Sequence, residues 1–536
     1  MRRLWEFPGG LHLDDHKAES TRRPVERLPL PATLTVPLQQ HIGEAAEILV
    51  AVGDRVLGGQ TLARATGYVS AAVHAGTSGT VTAVEERPVP HPSGLTAMCV
   101  VIDTDGRDQW VAPLPPLDWQ ASSPMELRQR VRECGLVGLG GAAFPSSVKL
   151  NPTGERALEH LIVNGAECEP WIACDDMLMR ERAAEIVEGI RIVAHALRPR
   201  EVLIGVEDNK PEAIDALRSA VEAAGAREIE VVPVPTRYPA GGEKQLVYTL
   251  TGKEVPSDGI PLQIGVVCHN VGTLAALRRA VVEGRPLTDR YVAVTGPGIR
   301  EPRVVEALVG TPFRDLVDFC GGYAGDVDRL LMGGPMMGFA VADDGVALVK
   351  ATNCILAATP ALFPAPDTAM PCIRCGACTD ACPASLLPQQ LYWYARAQDF
   401  ERVQDHSLFD CIECGACAYV CPSHIPLVQY FRYAKTEIWA QERDRQKADI
   451  ARDRHEFRQL RLEREAREKR EKRERKKAAL RSRRAPEGEG LSAPGDDKKA
   501  AIDAALAKAR AKKAVKDPAR ETEATRERTG NDGDTD

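Results

Sequence analysis

Cys372-Ile-Arg-Cys375-Gly-Ala-Cys378-Thr-Asp-Ala-Cys382-Pro383 and Cys411-Ile-Glu-Cys414-Gly-Ala-Cys417-Ala-Tyr-Val-Cys421-Pro422 decide the reading of this chain. Both runs have the form C-x2-C-x2-C-x3-C-P, the spacing that wraps a thiolate loop around a [4Fe–4S] cluster. Three thiolates on one tight loop reach three corners of a cube. The glycine after the second cysteine, Gly376 or Gly415, lets the backbone turn close to the cluster without a Cβ in the way. Structural zinc uses one set of four ligands, commonly in two pairs, and does not call for two such quartets each closed by Cys-Pro. A chain with both runs is built to move single electrons.

In two-cluster ferredoxins the fourth cysteine of each run ligates the other cluster. The expected metal ligands are therefore Cys372, Cys375, Cys378 and Cys421 for one cluster, and Cys411, Cys414, Cys417 and Cys382 for the other. The flanking Leu386–Phe409 and Ile425–Trp439 stretches have apolar residues at helical spacing and are expected to pack around the clusters.

Working outward, eight of the 15 cysteines of this 536-residue chain lie in those motifs and the others are scattered. That usage fits a reducing compartment rather than a disulfide framework. The first twenty residues lack the apolar core of a secretory signal. No apolar run reaches the length of a membrane span, so any membrane association is expected to be peripheral. A net charge of -7 gives no case for nucleic-acid binding.

Before the clusters, residues 28–103 alternate Val, Ala and Thr with glycine turns and resemble a biotinyl/lipoyl-type barrel-sandwich module. No lysine occurs from Val50 to Val100, so a carrier role is excluded and a structural or docking module is expected. From Met125 to Leu274, strand-like runs (Leu161–Val163, Val202–Val206, Ile229–Pro233) alternate with helical runs (Asp175–Leu197, Pro211–Ala224), which implies an α/β layer architecture. Within it the glycine-dense Gly135–Lys149 loop could let backbone N–H groups approach an anion, with Lys149 adding a point charge.

That loop is followed by Asn164-Gly-Ala-Glu167-Cys-Glu169-Pro, by Tyr238-Pro-Ala-Gly-Gly-Glu243-Lys244, and by His269-Asn270-Val-Gly-Thr273-Leu274. The four motifs in this order resemble the flavin-binding subunit of respiratory NADH dehydrogenase. A narrower resemblance is to the C subunits of the Rnf (Rsx) ion-translocating electron transport complexes. They join a Gly-Gly-x-His start, matched here by Gly9-Gly10-Leu11-His12, to a flavin domain and a double cluster module. The likeness covers roughly residues 5 to 440.

The resemblance implies a multidomain α/β chain: a β-rich barrel-sandwich module (1–120), an FMN/NADH-binding α/β domain (121–288), a soluble-ligand-binding β-grasp domain (289–350), a helical two-cluster ferredoxin module (365–440) and a charged helical or disordered tail (441–536). Carried over residue by residue, it places Gly138, Gly140, Gly141 and Lys149 at the flavin phosphate. Asn164 and Glu167 fall beside the ring, and Asn270 and Thr273 at later phosphate contacts. Phe144, Glu169 and Glu243 fall on the NADH side. It also implies an NADH-linked oxidoreductase and translocase subunit, passing electrons from NADH through FMN and the two clusters. Hydride transfer requires no catalytic acid or base, and no residue is assigned as one. The implied partners are an iron–sulfur subunit and integral membrane subunits, met at the cytoplasmic face of a bacterial inner membrane. Leu139, Ala166, Cys168, Lys244 and Gly272 stand where the dehydrogenase pattern has Arg, Asp, Ser, Glu and Glu. A soluble flavin–iron–sulfur dehydrogenase or hydrogenase subunit, and an electron-transfer adaptor with a degenerate flavin site, are the rival readings.

Beyond Gln441 the chain is dense in Arg, Lys and Glu, and a long solvated helix is expected, broken at Ala485-Pro.

Overall fold

Four short runs rich in Val, Ile and Leu (His160–Gly165, Glu201–Glu207, Ile229–Val234, Val266–Asn270) pair in parallel in a computed structural model that describes residues 2–151, 157–363, 368–482 and 502–508. They are apolar on both faces because both faces are covered. Leu161, Val163, Val202 and Ile204 pack with the Cys174–Leu197 and Val271–Arg278 helices. Ile162, Leu203 and Val266 meet Leu246, Val247 and Leu250 of the Glu243–Thr251 helix.

The strand order is Ile229–Val234, Glu201–Glu207, His160–Gly165, Val266–Asn270. The chain builds away from His160–Gly165 in one direction and returns to its other side with Val266–Asn270. Open α/β sheets bind ligands at such a switch point, outside the carboxyl ends of the strands. Here those ends carry Asn164 and Asn270, which are register partners.

In the N-terminal module, a four-stranded sheet (Thr33–Pro37, Thr96–Thr104, Gly79–Pro88, Arg55–Val56) and a three-stranded one (Glu47–Ile48, Thr61–Arg64, Val73–His74) close on a core that includes Leu34, Val56, Leu62, Val81 and Ile102. A six-stranded mixed sheet follows the α/β domain. Its central strands are Asp289–Thr295 and Cys354–Ala358, and one edge is Glu26–Arg27 from near the N-terminus. The expected boundary at residue 350 falls inside this sheet, because Cys354–Ala358 pairs with Asp289–Thr295 on one side and Arg329–Met332 on the other.

The two cysteine runs have matching backbones. Arg374 and Glu413 both have φ of 58°, and Gly376 and Gly415 have φ of 86° and 81°. A one-turn helix follows each glycine, Ala377–Asp380 and Ala416–Tyr419. The long helix Leu427–Ser482 buries Leu427, Val428, Phe431, Ala434 and Ile438 in the cluster module.

Residues 444–536 form a separate unit. Its described residues are all exposed and helical, with ion pairs such as Lys447–Asp444 and Arg452–Asp449. The expected break at Ala485-Pro and the final residues lie outside the described residues. No helix among the described residues is long and apolar enough to cross a membrane.

Candidate functional site

The eight motif thiols are all free and gather into two groups of four. Cys372, Cys375, Cys378 and Cys421 line one cavity of about 560 Å³. Cys382, Cys411, Cys414 and Cys417 line a second space, walled by Leu386, Leu391, Val428 and Phe431. Each group thus takes three thiols from one run and the fourth from the other, the crossed arrangement expected from the spacing.

Burial raises the Cys411 and Cys417 thiols, and pushes Cys414 up to about 11. Thiols held up in this way become thiolates when a metal charge compensates, so the donor set fits an iron–sulfur cluster. Backbone N–H groups of Arg374 and Leu386 donate to the sulfurs of Cys372 and Cys382, both at 3.4 Å.

The two cages differ in exposure. Cys382, Cys414 and Cys417 are buried, whereas Cys375 is exposed and its neighbour Ile373 is 68% exposed. The buried cage is also the one held against the α/β domain. Tyr238 Oη donates to the Cys414 carbonyl at 2.6 Å, Gln245 Nε2 to the Pro383 carbonyl at 3.3 Å, and Lys244 pairs with Asp410 at 2.9 Å. Gly10 N–H bonds the Ala381 carbonyl, so the Gly-Gly-Leu-His start lies on this cage. A Cβ at Gly9 would stand 2.6 Å from Cys382 backbone atoms, which only glycine avoids.

At the switch point the glycine loop is fixed by bonds that leave its tip free. Gly138 N–H donates to the Phe144 carbonyl, and Leu139 N–H donates to Thr273 Oγ1 at 2.9 Å. Arg290, buried and entering from the adjacent six-stranded sheet, donates to the Leu139 carbonyl at 3.0 Å. Gly140 packs against Asn270, and Gly141 is exposed with open space where a Cβ would stand.

Asn270 caps the Val271–Arg278 helix by accepting from the N–H groups of Gly272 and Thr273. Its Nδ2 donates to Asp175 at 2.6 Å. Exposed glycine backbone beside a capped helix N-terminus fits a phosphate-bearing group. Across the strand pair, Asn164 accepts from Ala166 N–H and donates to the Gly241 carbonyl.

The site therefore collects Gly138, Gly140, Gly141, Asn270 and Thr273, with Asn164 opposite. Lys149 and Glu243 meet each other: the ammonium donates to Glu243 Oε1 at 2.8 Å and to the Cys268 carbonyl at 2.9 Å. Burial opposes the Lys149 charge, but Glu243 outweighs it and the pKa lies above the ordinary lysine value.

Glu167 and Glu169 have internal partners. Glu167 accepts from the N–H groups of Asp175 and Asp176, capping the Cys174–Leu197 helix. Glu169 accepts from the N–H groups of Met336 and Met337 in the six-stranded-sheet module, and burial raises its pKa. Phe144 is half-buried.

Sequence reasoning missed three contributors. Asp175 is pushed toward protonation by burial and by the neighbouring Glu167 carboxylate. Its signal was its place at a helix start facing Asn270. Arg290 and Tyr238 act across module boundaries; no local pattern marks Arg290, and Tyr238 opens the third motif without any sign there of its bond to the Cys414 carbonyl.

Comparisons with known proteins match this layout. Residues 5–107 match the RnfC barrel sandwich hybrid domain, 131–279 the Nuo51 FMN-binding domain, 291–340 the SLBB domain and 371–425 a 4Fe-4S dicluster domain. A Pseudomonas aeruginosa protein, named as the C subunit of the ion-translocating oxidoreductase complex, is 50% identical over 465 residues, 87% of this chain and 60% of that protein. A Cronobacter sakazakii protein of the same name is 47% identical over 516 residues, 96% of this chain and 64% of that protein. The chain is a homologue of these C subunits. It spans somewhat under two thirds of the length of the relatives it matches. A chain of NAD+-reducing [NiFe]-hydrogenase superposes with a TM-score of 0.42 at 18% identity, over 58% of this chain and 63% of that one, too loosely to carry an argument.

The described architecture is multidomain α/β with a barrel-sandwich N-terminal module, an SLBB domain, a ferredoxin-like module and a helical C-terminal region. The domain matches give it FMN and [4Fe–4S] clusters as cofactors.

Proposed function

We propose that this chain is the NAD(H)-facing electron-input subunit of a membrane-associated complex that couples electron transfer to ion translocation. One observation carries the reading: the buried thiol cage is hydrogen-bonded, through Tyr238 and Cys414, to the loop that continues into Gly241 and Glu243 at the switch point. Electron tunnelling requires redox groups held at short, fixed separation, and the Tyr238, Lys244 and Gln245 contacts supply that rigidity.

A flavin at the switch point would convert a two-electron hydride donor to the one-electron carriers that iron–sulfur clusters are. The chain's own residues do the positioning. Gly140 and Gly141 offer backbone N–H groups, the Gly138 N–H bond to the Phe144 carbonyl together with Thr273 and Arg290 holds the loop that presents them, and Asn164 and Asn270 frame the crevice. Lys149 and Glu243 sit together, a cation for phosphate beside a carboxylate suited to a ribose hydroxyl. The buried cage (Cys382, Cys411, Cys414, Cys417) is the inner electron site, and the cage with exposed Cys375 is the outer one, facing a partner. That partner is an iron–sulfur subunit, with integral membrane subunits beyond it, on the cytoplasmic face of an inner membrane. The six-stranded-sheet module is read as the β-grasp element, and its role is to hold Glu169 and the Leu139 carbonyl.

Anaerobically purified protein tests this. Two clusters and one flavin per chain, NADH–ferricyanide activity and binding to inverted membrane vesicles are expected; colourless protein without iron overturns it. The Lys149–Glu243 pair favours one alternative, an electron-transfer adaptor whose flavin-loop cation is already neutralised. Clusters without flavin and without NADH–ferricyanide activity would select the adaptor.

A further inference from the structure

Away from the thiols and the switch point, a cavity of about 680 Å³ opens where the barrel-sandwich module, the strap after it and the α/β domain meet. Pockets that hold small molecules run to roughly 300–1,000 Å³ and favour such junctions. Leu49, Val111 and Leu114 give it an apolar wall, and Trp110 packs on the glycine backbone of Gly58 and Gly59 beside it.

Its charge balance is lopsided. Arg64, Arg132, Arg285 and Glu133 line it. Arg64 is paired with Glu47 at 2.8 Å. Arg132 is met by the carbonyls of Thr66 and Gly67 at 3.2 and 2.7 Å, which hold it without cancelling its charge. Arg285 lies 5.7 Å from the Trp110 ring centroid, with Glu283 no closer than 4.0 Å. Behind the wall, the fully buried Lys350 Nζ donates to the carbonyls of Ala72 and Gly135 at 2.8 and 2.7 Å.

His74 lines the cavity, is only 6% exposed, and its Nδ1 has no hydrogen-bond partner among the described residues. Burial drives its pKa down to about 3, so the ring offers hydrogen-bonding atoms rather than charge. A buried polar atom is costly to leave unmatched, and a ligand is one way to match it.

We propose that this cavity binds a small amphiphilic anion, its acidic group toward Arg285 and Arg132, its apolar body along Leu49, Val111 and Leu114, and a polar atom within reach of His74. The site lies apart from the thiol cages; on the switch-point side, Arg285 also lines the crevice formed by Leu139, Asp175 and Gly272.

The test uses 8-anilino-1-naphthalenesulfonate titrated into the full chain by calorimetry. One site per chain is expected. Arg285→Glu reverses the charge at the rim, and Ala112→Trp fills the mouth. Both positions are exposed, and iron and flavin content equal to the parent's reports that each variant has folded. Each substitution should weaken the dye at least tenfold. Binding that does not saturate, an affinity unchanged by Arg285→Glu, or a dye displaced by FMN or NADH would each overturn the proposal.

Discussion

Tyr238 Oη and the carbonyl of Cys414 stand 2.6 Å apart, the phenol donating, and this bond ties the α/β domain to the buried thiol cage. Tyr238 is buried, and burial holds its hydroxyl un-ionised, so it stays a donor. Its backbone also pairs with Leu11, whose neighbour Gly10 bonds Ala381 in the same cage. Tyr238→Phe keeps the ring packing and leaves the Cys414 carbonyl without its partner. An unmatched buried acceptor costs about 1–3 kcal/mol. If one or two of those appear in the opening equilibrium of the cage, iron should leave to a chelator about 5- to 30-fold faster. A release rate equal to the parent's would show that the bond does not hold the cage.

Much of the core was legible because it is local. The runs at Leu161–Val163, Val202–Val206 and Ile229–Pro233 lie in strands, Asp175–Leu197 lies in a helix, and Pro211–Ala224 is a helix through Ala223 with Ala224 as its C-cap, since apolar spacing and helix starts are written in consecutive residues. The cysteine spacing likewise prefigured the thiol grouping that lines the two cavities. What escaped notice is contact between distant segments. Glu26–Arg27 pairs with Arg303–Leu308, Arg290 reaches the Leu139 carbonyl, and Glu169 accepts from Met336 and Met337. Each joins side chains or backbones whose partners are set by how modules dock, and no periodicity encodes docking. Glu169 illustrates the limit. Its motif places it on the nucleotide side, while its carboxylate here is spent on backbone N–H groups of the next module.

The crossed thiol sets make a sharp expectation for paired substitutions. Cys382 shares its space with Cys411, Cys414 and Cys417, and not with Cys372. Cys382→Ser and Cys411→Ser should each remove about four of roughly eight irons, and the double variant should lose no more, since both strike one cluster. Cys382→Ser combined with Cys372→Ser should lose nearly all. Iron analysis with EPR of the reduced protein reads the difference. Were the Cys382/Cys372 pair to retain half the iron, the sets would be uncrossed.

Lys149 and Glu243 should act in opposite directions on flavin affinity. Lys149 closes the glycine-loop motif, and Glu243 competes for its ammonium at 2.8 Å. Lys149→Met removes a charge-assisted bond worth about 1.5–3 kcal/mol, so FMN should bind roughly tenfold or more weakly. Glu243→Gln releases the ammonium, so FMN should bind at least as tightly as to the parent. Quenching of FMN fluorescence during titration measures both. Losses of similar size in the two variants would mean that the pair only holds the loop to the Cys268 carbonyl.

Lys350 gives the chain a pH signature of known sign. It is fully buried between two carbonyls, and desolvation pulls its pKa from the ordinary 10.5 to about 7. Between those values the unfolded chain binds more protons than the folded one, so this group's contribution to stability grows as pH rises from 7 toward 10.5 and is lost as pH falls through 7. His74 and His41, the nearby titrating rings, are both held down by burial and add little in that window. Lys350→Met removes the titrating group. At pH 6.5 the variant is spared a buried charge; at pH 9.5 it merely lacks two hydrogen bonds that a neutral lysine makes. The thermal midpoint of the variant minus that of the parent should therefore fall steadily from pH 6.5 to 9.5, by an amount on the order of a few kcal/mol when converted. Scanning fluorimetry at matched heating rates measures it, and a difference that stays flat or climbs with pH would show that Lys350 keeps an ordinary pKa in the fold.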